Sequence, residues 1–219
     1  MKEFFTIENL ATLGTNLAII AASLVAMLKA FQKKWDEITA DNTGKLRGSI
    51  KIQAEFDARI IKKLEEVREQ LNADRIQIYD FHNGIHYANG RSAIRISCTY
   101  EAIRYSIKSY LNRLNGIPIG CIPAFIRKLL DEGKFVCPDL ETIKEECPAT
   151  YEFKREMGIT GFHDVAFKNE FGEIVGFVAV QFCDNEFHQD DETVMKLVGF
   201  VEHELNELMK ELNKPKKKR

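Results

Sequence analysis

The segment Arg75-Ile-Gln-Ile-Tyr-Asp-Phe81 places apolar or aromatic side chains on both of its alternating faces and stops at Asn83-Gly84. Successive side chains of a strand point to opposite faces, so a strand of this kind belongs in the middle of a sheet that is covered on both sides. Two further long β-prone runs, Gly161 to Lys168 and Glu173 to Cys183, are joined by Asn169-Glu-Phe-Gly172, whose Asn and Gly predict a hairpin loop. Arg91 to Thr99 is expected to be a second strand and Phe135 to Cys137 a short one.

Helical periodicity accounts for most of the remainder. Ile60, Leu64, Val67 and Leu71 fall at spacings of four, three and four in a helix expected from Ile50 to about Asn72, with Gly48-Ser49 as its entry. Val194, Val198, Val201, Leu205, Leu208 and Leu212 form one stripe on a closing helix, which Asp190 and Asp191 cap at the positive end of its dipole. Between these, helices are expected at Tyr100 to Leu111, from Pro123 to Leu130 and from Leu140 to Glu156, with Ile117 to Cys121 irregular.

The N-terminus has a different texture. Asn9 to Leu28 is a run of 20 uncharged residues, and a helix rising 1.5 Å per residue would cover about 30 Å, the hydrocarbon thickness of a bilayer. Lys29, Lys33 and Lys34 follow it, whereas Lys2 alone precedes it beside Glu3 and Glu8, so the positive-inside rule leaves the bulk of the chain in the cytoplasm. A cleaved signal peptide fits less well, because the run ends in Ala-Met-Leu-Lys without a small-x-small site. A buried or oligomer-forming helix is the other alternative, since Thr12, Asn16 and Ser23 share one helical face. The helix is expected to continue past Trp35 and to break at Asp41-Asn42-Thr43-Gly44.

Charge sharpens the division. The 219 residues hold 31 Lys and Arg against 33 Asp and Glu, but Lys214, Lys216, Lys217, Lys218 and Arg219 are concentrated at the end, which leaves the body acidic. That balance excludes a globally basic nucleic-acid binder, and no specific nucleic-acid partner is expected. The tail alone is patterned like a nuclear-localisation patch, and beside a membrane anchor it reads equally as attraction to anionic lipid. Five cysteines without a C-x-x-C spacing exclude a zinc ribbon and a disulfide framework, and indicate a reducing compartment.

An entering helix, a strand ending in a turn, an irregular middle, a long antiparallel hairpin and a closing helix resemble the element order of GAF domains. The wording is similar too: Asp74-Arg-Ile-Gln-Ile-Tyr-Asp-Phe-His-Asn-Gly84 resembles the first GAF strand, and Gly158-Ile-Thr-Gly-Phe-His-Asp-Val-Ala-Phe-Lys168 with Gly172-Glu-Ile-Val-Gly-Phe-Val-Ala-Val180 resembles the closing hairpin. The resemblance implies an α+β fold: a GAF-like antiparallel sheet with the N- and C-terminal helices on one face and the irregular middle folded over the other around a small-molecule pocket. The expected organisation is a short tail at 1–8, a transmembrane helix at 9–28, a juxtamembrane helix and linker at 29–49, a GAF-like domain at 50–212 and a basic tail at 213–219. The cyclic-nucleotide signature of the family is not apparent, and no cysteine stands in a bilin-attachment context.

The expected ligand-binding residues are Tyr79, Phe81, His82, Asn83, Arg91, Arg95, Tyr100, Phe125, His163 and Asp164. His82 and the His163-Asp164 pair are expected to converge if their strands are neighbours, and Arg91 and Arg95 to meet a phosphate or carboxylate. The bland reading makes the aromatics core, the histidines turn locks and the arginines solvated edge charges. His82 and His86 lie four apart, but Asn83-Gly84 between them argues against a helical metal pair. Some GAF-fold proteins reduce methionine sulfoxide with clustered pocket cysteines; neither a low-pKa thiol nor a resolving partner is identifiable here, so no catalytic residue, metal or cofactor is assigned. Expected partners are the lipid bilayer, a small ligand and a second copy, the last through Ile60, Leu64, Val67, Leu71, Val194, Val198, Val201, Leu205, Leu208 and Leu212. Deleting residues 1 to 30 should convert a protein that pellets with membranes into a soluble folded one; full-length protein that stays in the supernatant without detergent would remove the anchor.

Overall fold

The computed structural model describes residues 24–25, 27–34, 50–86 and 89–213, and the chain divides into two units, Met1–Lys51 and Ile52–Arg219. In the first, residues 24–25 and 27–34 are helical with exposed side chains. Most of the expected span at 9–28, the turn at Asp41–Gly44 and the tail from Lys214 lie outside the described residues. Among the described residues no helix is long and apolar enough to cross a membrane.

The second unit is built on one six-stranded antiparallel sheet. Its strands are β1 (Arg75–His86), β2 (Ser92–Ile103), β3 (Ile117–Pro118), β4 (Lys134–Cys137), β5 (Gly161–Lys168) and β6 (Ile174–Phe182), in the order β3-β2-β1-β6-β5-β4. The helices are α1 (50–70), α2 (Pro123–Glu132), α3 (Pro148–Glu156) and α4 (Asp191–Asn213). β1 and β6 are the inner pair, and their alternation feeds two separate cores. Ile76, Ile78, Val178, Val180 and Phe182 pack with Phe56, Ile60, Leu64, Val194, Leu197 and Val201 of α1 and α4. Tyr79, Phe177 and Ala179 pack with Phe125, Leu129, Ile143 and Tyr151 on the other side. The first and last helices therefore share one face and the irregular middle covers the other, as the resemblance implies.

Several boundaries move, each for a local reason. Asn83-Gly84 does not end β1, because Gly84 serves a close approach: a Cβ there would lie 2.5 Å from the carbonyl oxygen of Ala93 and 2.6 Å from Nε of Arg95. The helix expected at Tyr100 to Leu111 is instead the end of β2 and an irregular stretch closing in a 3-10 turn at Leu111–Arg113. Ala102 is buried in the α1–α4 core, while Glu101 turns to the other face to bond Gln77, so period-two burial overrides the helical pattern. The single helix expected from Leu140 to Glu156 divides into a 3-10 turn at Leu140–Ile143 and α3, where Pro148 takes the first helical position. Ile117 to Cys121 forms the short β3 and a 3-10 turn. At the end of α1, Asn72 adopts a left-handed φ of 51°. At the start of α4, Asp190 Oδ1 accepts from the Thr193 amide at 3.0 Å, the expected cap.

The residues expected to join two subunits are spent within the chain. Ile60, Leu64, Val67, Leu71, Val194, Val198 and Val201 are each at most 3% exposed and Leu208 8%, all in the core under the sheet; Leu205 packs against that core, and the side chain of Leu212 lies outside the described residues. On the outside the two helices share the Arg59–Glu204 ion pair at 2.8 Å.

One buried carboxylate ties the ends of the central strands. Asp74, fully buried, accepts from the backbone amides of Cys183, Asp184 and Asn185 at 2.7, 2.8 and 2.9 Å and from Nε of Arg104 at 2.7 Å. Burial works to raise its pKa, but the three amides and the guanidinium overcome that and hold it below the usual 3.8. A depressed carboxylate contributes stability that is present above its unfolded pKa and disappears as pH falls through the folded one. Asp74→Asn should therefore lower unfolding stability at pH 7 by about 3 kcal/mol, the scale of a broken buried ionic hydrogen-bond set. Urea titrations should show the gap to wild type closing as the pH drops below 3.8.

Candidate functional site

The face of the sheet under α2 and α3 carries polar groups where a core would ordinarily be apolar. On β1 the side chains of Arg75, Gln77 and Tyr79 point to this face, and Gln181 of β6 lies beside Arg75 and Gln77. They form one hydrogen-bonded set. Tyr79 Oη donates to Gln77 Oε1 at 2.8 Å, Gln181 Nε2 donates to the same oxygen at 2.9 Å, and Gln77 Nε2 donates to Glu101 Oε1 at 2.8 Å. Arg75 Nη1 donates to Gln181 Oε1 at 2.9 Å, Nη2 to the Lys108 carbonyl at 2.9 Å, and Nε lies 3.5 Å from Glu101. The Tyr110 ring sits 5.2 Å below the guanidinium.

A second polar group adjoins the first. Lys154 of α3 and Asp164 of β5 are both buried and joined at 2.6 Å. The ammonium stands 3.7 Å from the centroid of the Phe162 ring and 5.4 Å from that of Phe125. Burial pushes the Asp164 carboxyl up, and Lys154 works against that shift. Thr150, one helical turn before Lys154, is 1% exposed, and its hydroxyl has no partner; Asp164 Oδ1 likewise has none. Buried polar atoms are almost always bonded, so these two atoms need an explanation.

Thr150 and Lys154 line a cavity together with Tyr79, Gln181 and six apolar side chains, Ile96, Ile122, Phe125, Phe153, Met157 and Phe177. Its volume is about 10 Å³, about the space one water molecule needs. Tyr79 and Phe177 stack in its wall with centroids 4.6 Å apart and planes within 8°. Tyr79's hydroxyl is held well above its usual pKa, chiefly by burial, so it remains a donor at any physiological pH.

Of the expected site residues, Tyr79 and Phe125 line this cavity, Asp164 adjoins it through Lys154, and Phe81 packs nearby, 6.2 Å from Phe177. The others are elsewhere. His82 is exposed, its Nε2 bonded to Ser97 Oγ at 2.8 Å, whereas His163 is buried on the α4 side of the sheet, away from the cavity, 3.5 Å from Asp191; burial lowers its pKa against the pull of that carboxylate. The two histidines do not converge, because His163 lies opposite Val180 and so level with Ile76, six residues along β1 from His82, while Asp164, next to His163 in the strand, points to the other face. Asn83 and Arg91 are exposed, Arg91 just before β2. Arg95 Nη1 donates to the Gly116 carbonyl at 2.6 Å, and Tyr100 turns to the α1 side, donating to Asp57 at 2.5 Å. Among the described residues no group of three His, Cys, Asp or Glu side chains is arranged for a metal.

Sequence reasoning missed Thr150, Lys154, Arg75, Gln77 and Gln181. Gln77 and Gln181 left a readable trace, as polar residues inside runs otherwise apolar on both faces. Lys154 left none, since nothing in Ala149-Thr-Tyr-Glu-Phe-Lys154 separates a buried lysine from a solvated one. None of the cysteines lines the cavity, and burial pushes the thiols of Cys98, Cys137, Cys147 and Cys183 up, away from the reactive thiolate.

The chain belongs to the GAF domain family, whose model matches residues 59–200. Solved structures of GAF domains share the fold. The blue-light-absorbing form of the PixJ GAF domain of Thermosynechococcus elongatus is 11% identical with a TM-score of 0.55, covering 73% of this chain and 88% of that one. The phycoerythrobilin-bound GAF domain of a cyanobacterial phytochrome is 20% identical with a TM-score of 0.51, covering 77% and 95%. A red/green cyanobacteriochrome in its red-light-absorbing state is 14% identical with a TM-score of 0.54, covering 75% and 99%. No curated protein matches the sequence.

Removing one member of the Lys154–Asp164 pair strands a buried charge, while removing both does not. Lys154→Met should cost about 3–5 kcal/mol in a denaturant titration, and Lys154→Met with Asp164→Leu should regain most of it. A double variant as unstable as the single one would mean that the two side chains are not coupled.

Proposed function

We propose that this protein is a non-catalytic sensory module whose GAF domain binds a small ligand between the sheet and α2 and α3, tethered to a membrane by residues 9–28. The observation that carries the reading is the cavity lined by Thr150 and Lys154, where the buried Thr150 hydroxyl lacks a partner within a largely apolar wall and Asp164 Oδ1, behind Lys154, lacks one too. Apolar walls with a few convergent polar groups are the usual make-up of small-molecule sites. The phycoerythrobilin-bound neighbour shows that the fold can take up a ligand. A tetrapyrrole is far larger than 10 Å³, so in this conformation the chain is closed to one. The membrane part rests on the 20 uncharged residues and the lysines that follow them.

The small volume also favours a second reading, a scaffold that uses the GAF fold for self-association and has a filled pocket. Side chains already buried in the monomer are not available for that contact, so a helical dimer would use exposed positions such as Met195 and Met209 of α4. The readings separate in one measurement. Full-length protein purified from cells and then denatured should release a stoichiometric small molecule by mass spectrometry, whereas ligand-free protein that is dimeric at micromolar concentration would transfer the function to the scaffold.

A further inference from the structure

The hydrogen-bonding groups around the cavity define which chemistry would satisfy them. Lys154 brings one positive charge and Asp164 one negative, at 2.6 Å, and Arg75 and Glu101 cancel in the same way at 3.5 Å. The pocket is therefore formally neutral. A charged ligand would leave one charge unpaired in a site walled by Phe125, Phe153 and Phe177, which is costly. The unfilled capacity is of both kinds. Lys154 has three N–H donors, of which Asp164 takes one. Asp164 Oδ1 is an acceptor with nothing to accept, and the Thr150 hydroxyl, able to do either, has no partner.

We infer that the cavity is the binding site for a neutral ligand with a hydrogen-bond donor and a carbonyl acceptor side by side, an amide, lactam or urea edge, with its apolar remainder toward Phe125, Met157 and Phe177. The carbonyl accepts from Lys154 and Thr150 in the wall, and once the wall repacks the adjacent N–H reaches Asp164 Oδ1, which lies behind Lys154. A cavity of about 10 Å³ admits no more than a water-sized group in this conformation. Anything larger enters by repacking Phe125, Phe153 and Met157, the side chains that α2 and α3 contribute to the wall. The inference rests on the ligand-binding reading above and adds the chemical class.

Three ring compounds of similar size test it against the full-length protein in detergent: valerolactam, cyclopentanecarboxylate and cyclopentylammonium. At about ten times its dissociation constant, the lactam should raise the melting temperature by about 3 °C while the two ions leave it unchanged. Thr150→Val removes only an unpartnered hydroxyl and keeps the shape, so it should fold at least as stably as wild type and bind the lactam at least tenfold more weakly. The double replacement of Lys154 by Met and Asp164 by Leu should abolish the shift. A shift with the anion or the cation overturns the neutral edge, and a lactam shift that survives in both variants places the binding elsewhere. Silence from all three overturns the inference, whereas the ligand-binding reading itself stands or falls on what the denatured protein releases.

Discussion

Asp74 holds the GAF domain's geometry at one corner. It sits just before β1, takes the three amides that follow β6 and the Arg104 guanidinium just past the end of β2, and thereby fixes the ends of three adjacent strands around one carboxylate. Backbone amides at a strand end need an acceptor, and here one carboxylate serves three in succession. The same residue's carbonyl accepts from the Arg104 amide, so the β1–β2 pair is anchored where the register begins, at Arg75 opposite Ile103. Through the unshifted β1–β6 register, Arg75 to Asp80 are then assigned alternately to the two faces.

From that assignment follow two cores of different character. Ile76 and Ile78 face α1 and α4, and the layer there is made of Phe, Leu, Ile and Val. Arg75, Gln77 and Tyr79 face α2 and α3, so the other layer must absorb a guanidinium, an amide and a phenol. It does so by pairing them with Gln181 and Glu101, which β6 and β2 bring alongside. Gly176 shows how tightly the inner strands meet: a Cβ there would lie 2.2 Å from the Tyr79 carbonyl oxygen and 2.3 Å from the Phe167 ring. On the other face of the same pair of strands, Tyr79 stacks on Phe177 and both line the cavity.

The parts of the fold that depend on local pattern were legible in the sequence. The closing helix, the β5–β6 hairpin and the entering helix are each specified by periodicity and end signals within their own residues. The misread stretches depend on distant partners. Tyr100 to Ile103 is a strand because β1 pairs with it, and Gly84 is a close approach because Arg95 crosses it. The site divides in the same way. Tyr79 and Phe125 are identifiable as wall residues from their strand and helix, whereas Lys154 becomes a site residue only because β5, ten residues further on, presents Asp164 to it. His163 beside it was a plausible ligand contact in one dimension and is excluded by strand alternation in three.

The Lys154–Asp164 pair is not explained by stability. Two charges lose their hydration when buried, and a pair of apolar residues of similar volume commonly serves a core as well or better. This domain has an example across the sheet, where Val165 and Phe167 on the other face of the same strand pack with no charge at all. The second oxygen of Asp164 adds to the cost, since it has no donor, and so does the hydroxyl of Thr150. A core selected only for packing would have closed the hole and removed the pair. On the proposed reading the cost is offset when a ligand supplies the missing donor and acceptor, so the site is least satisfied when empty. Ligand binding would then stabilise the native state through the very groups that strain it, and a sensor needs that coupling between occupancy and the packing of α3 on the sheet.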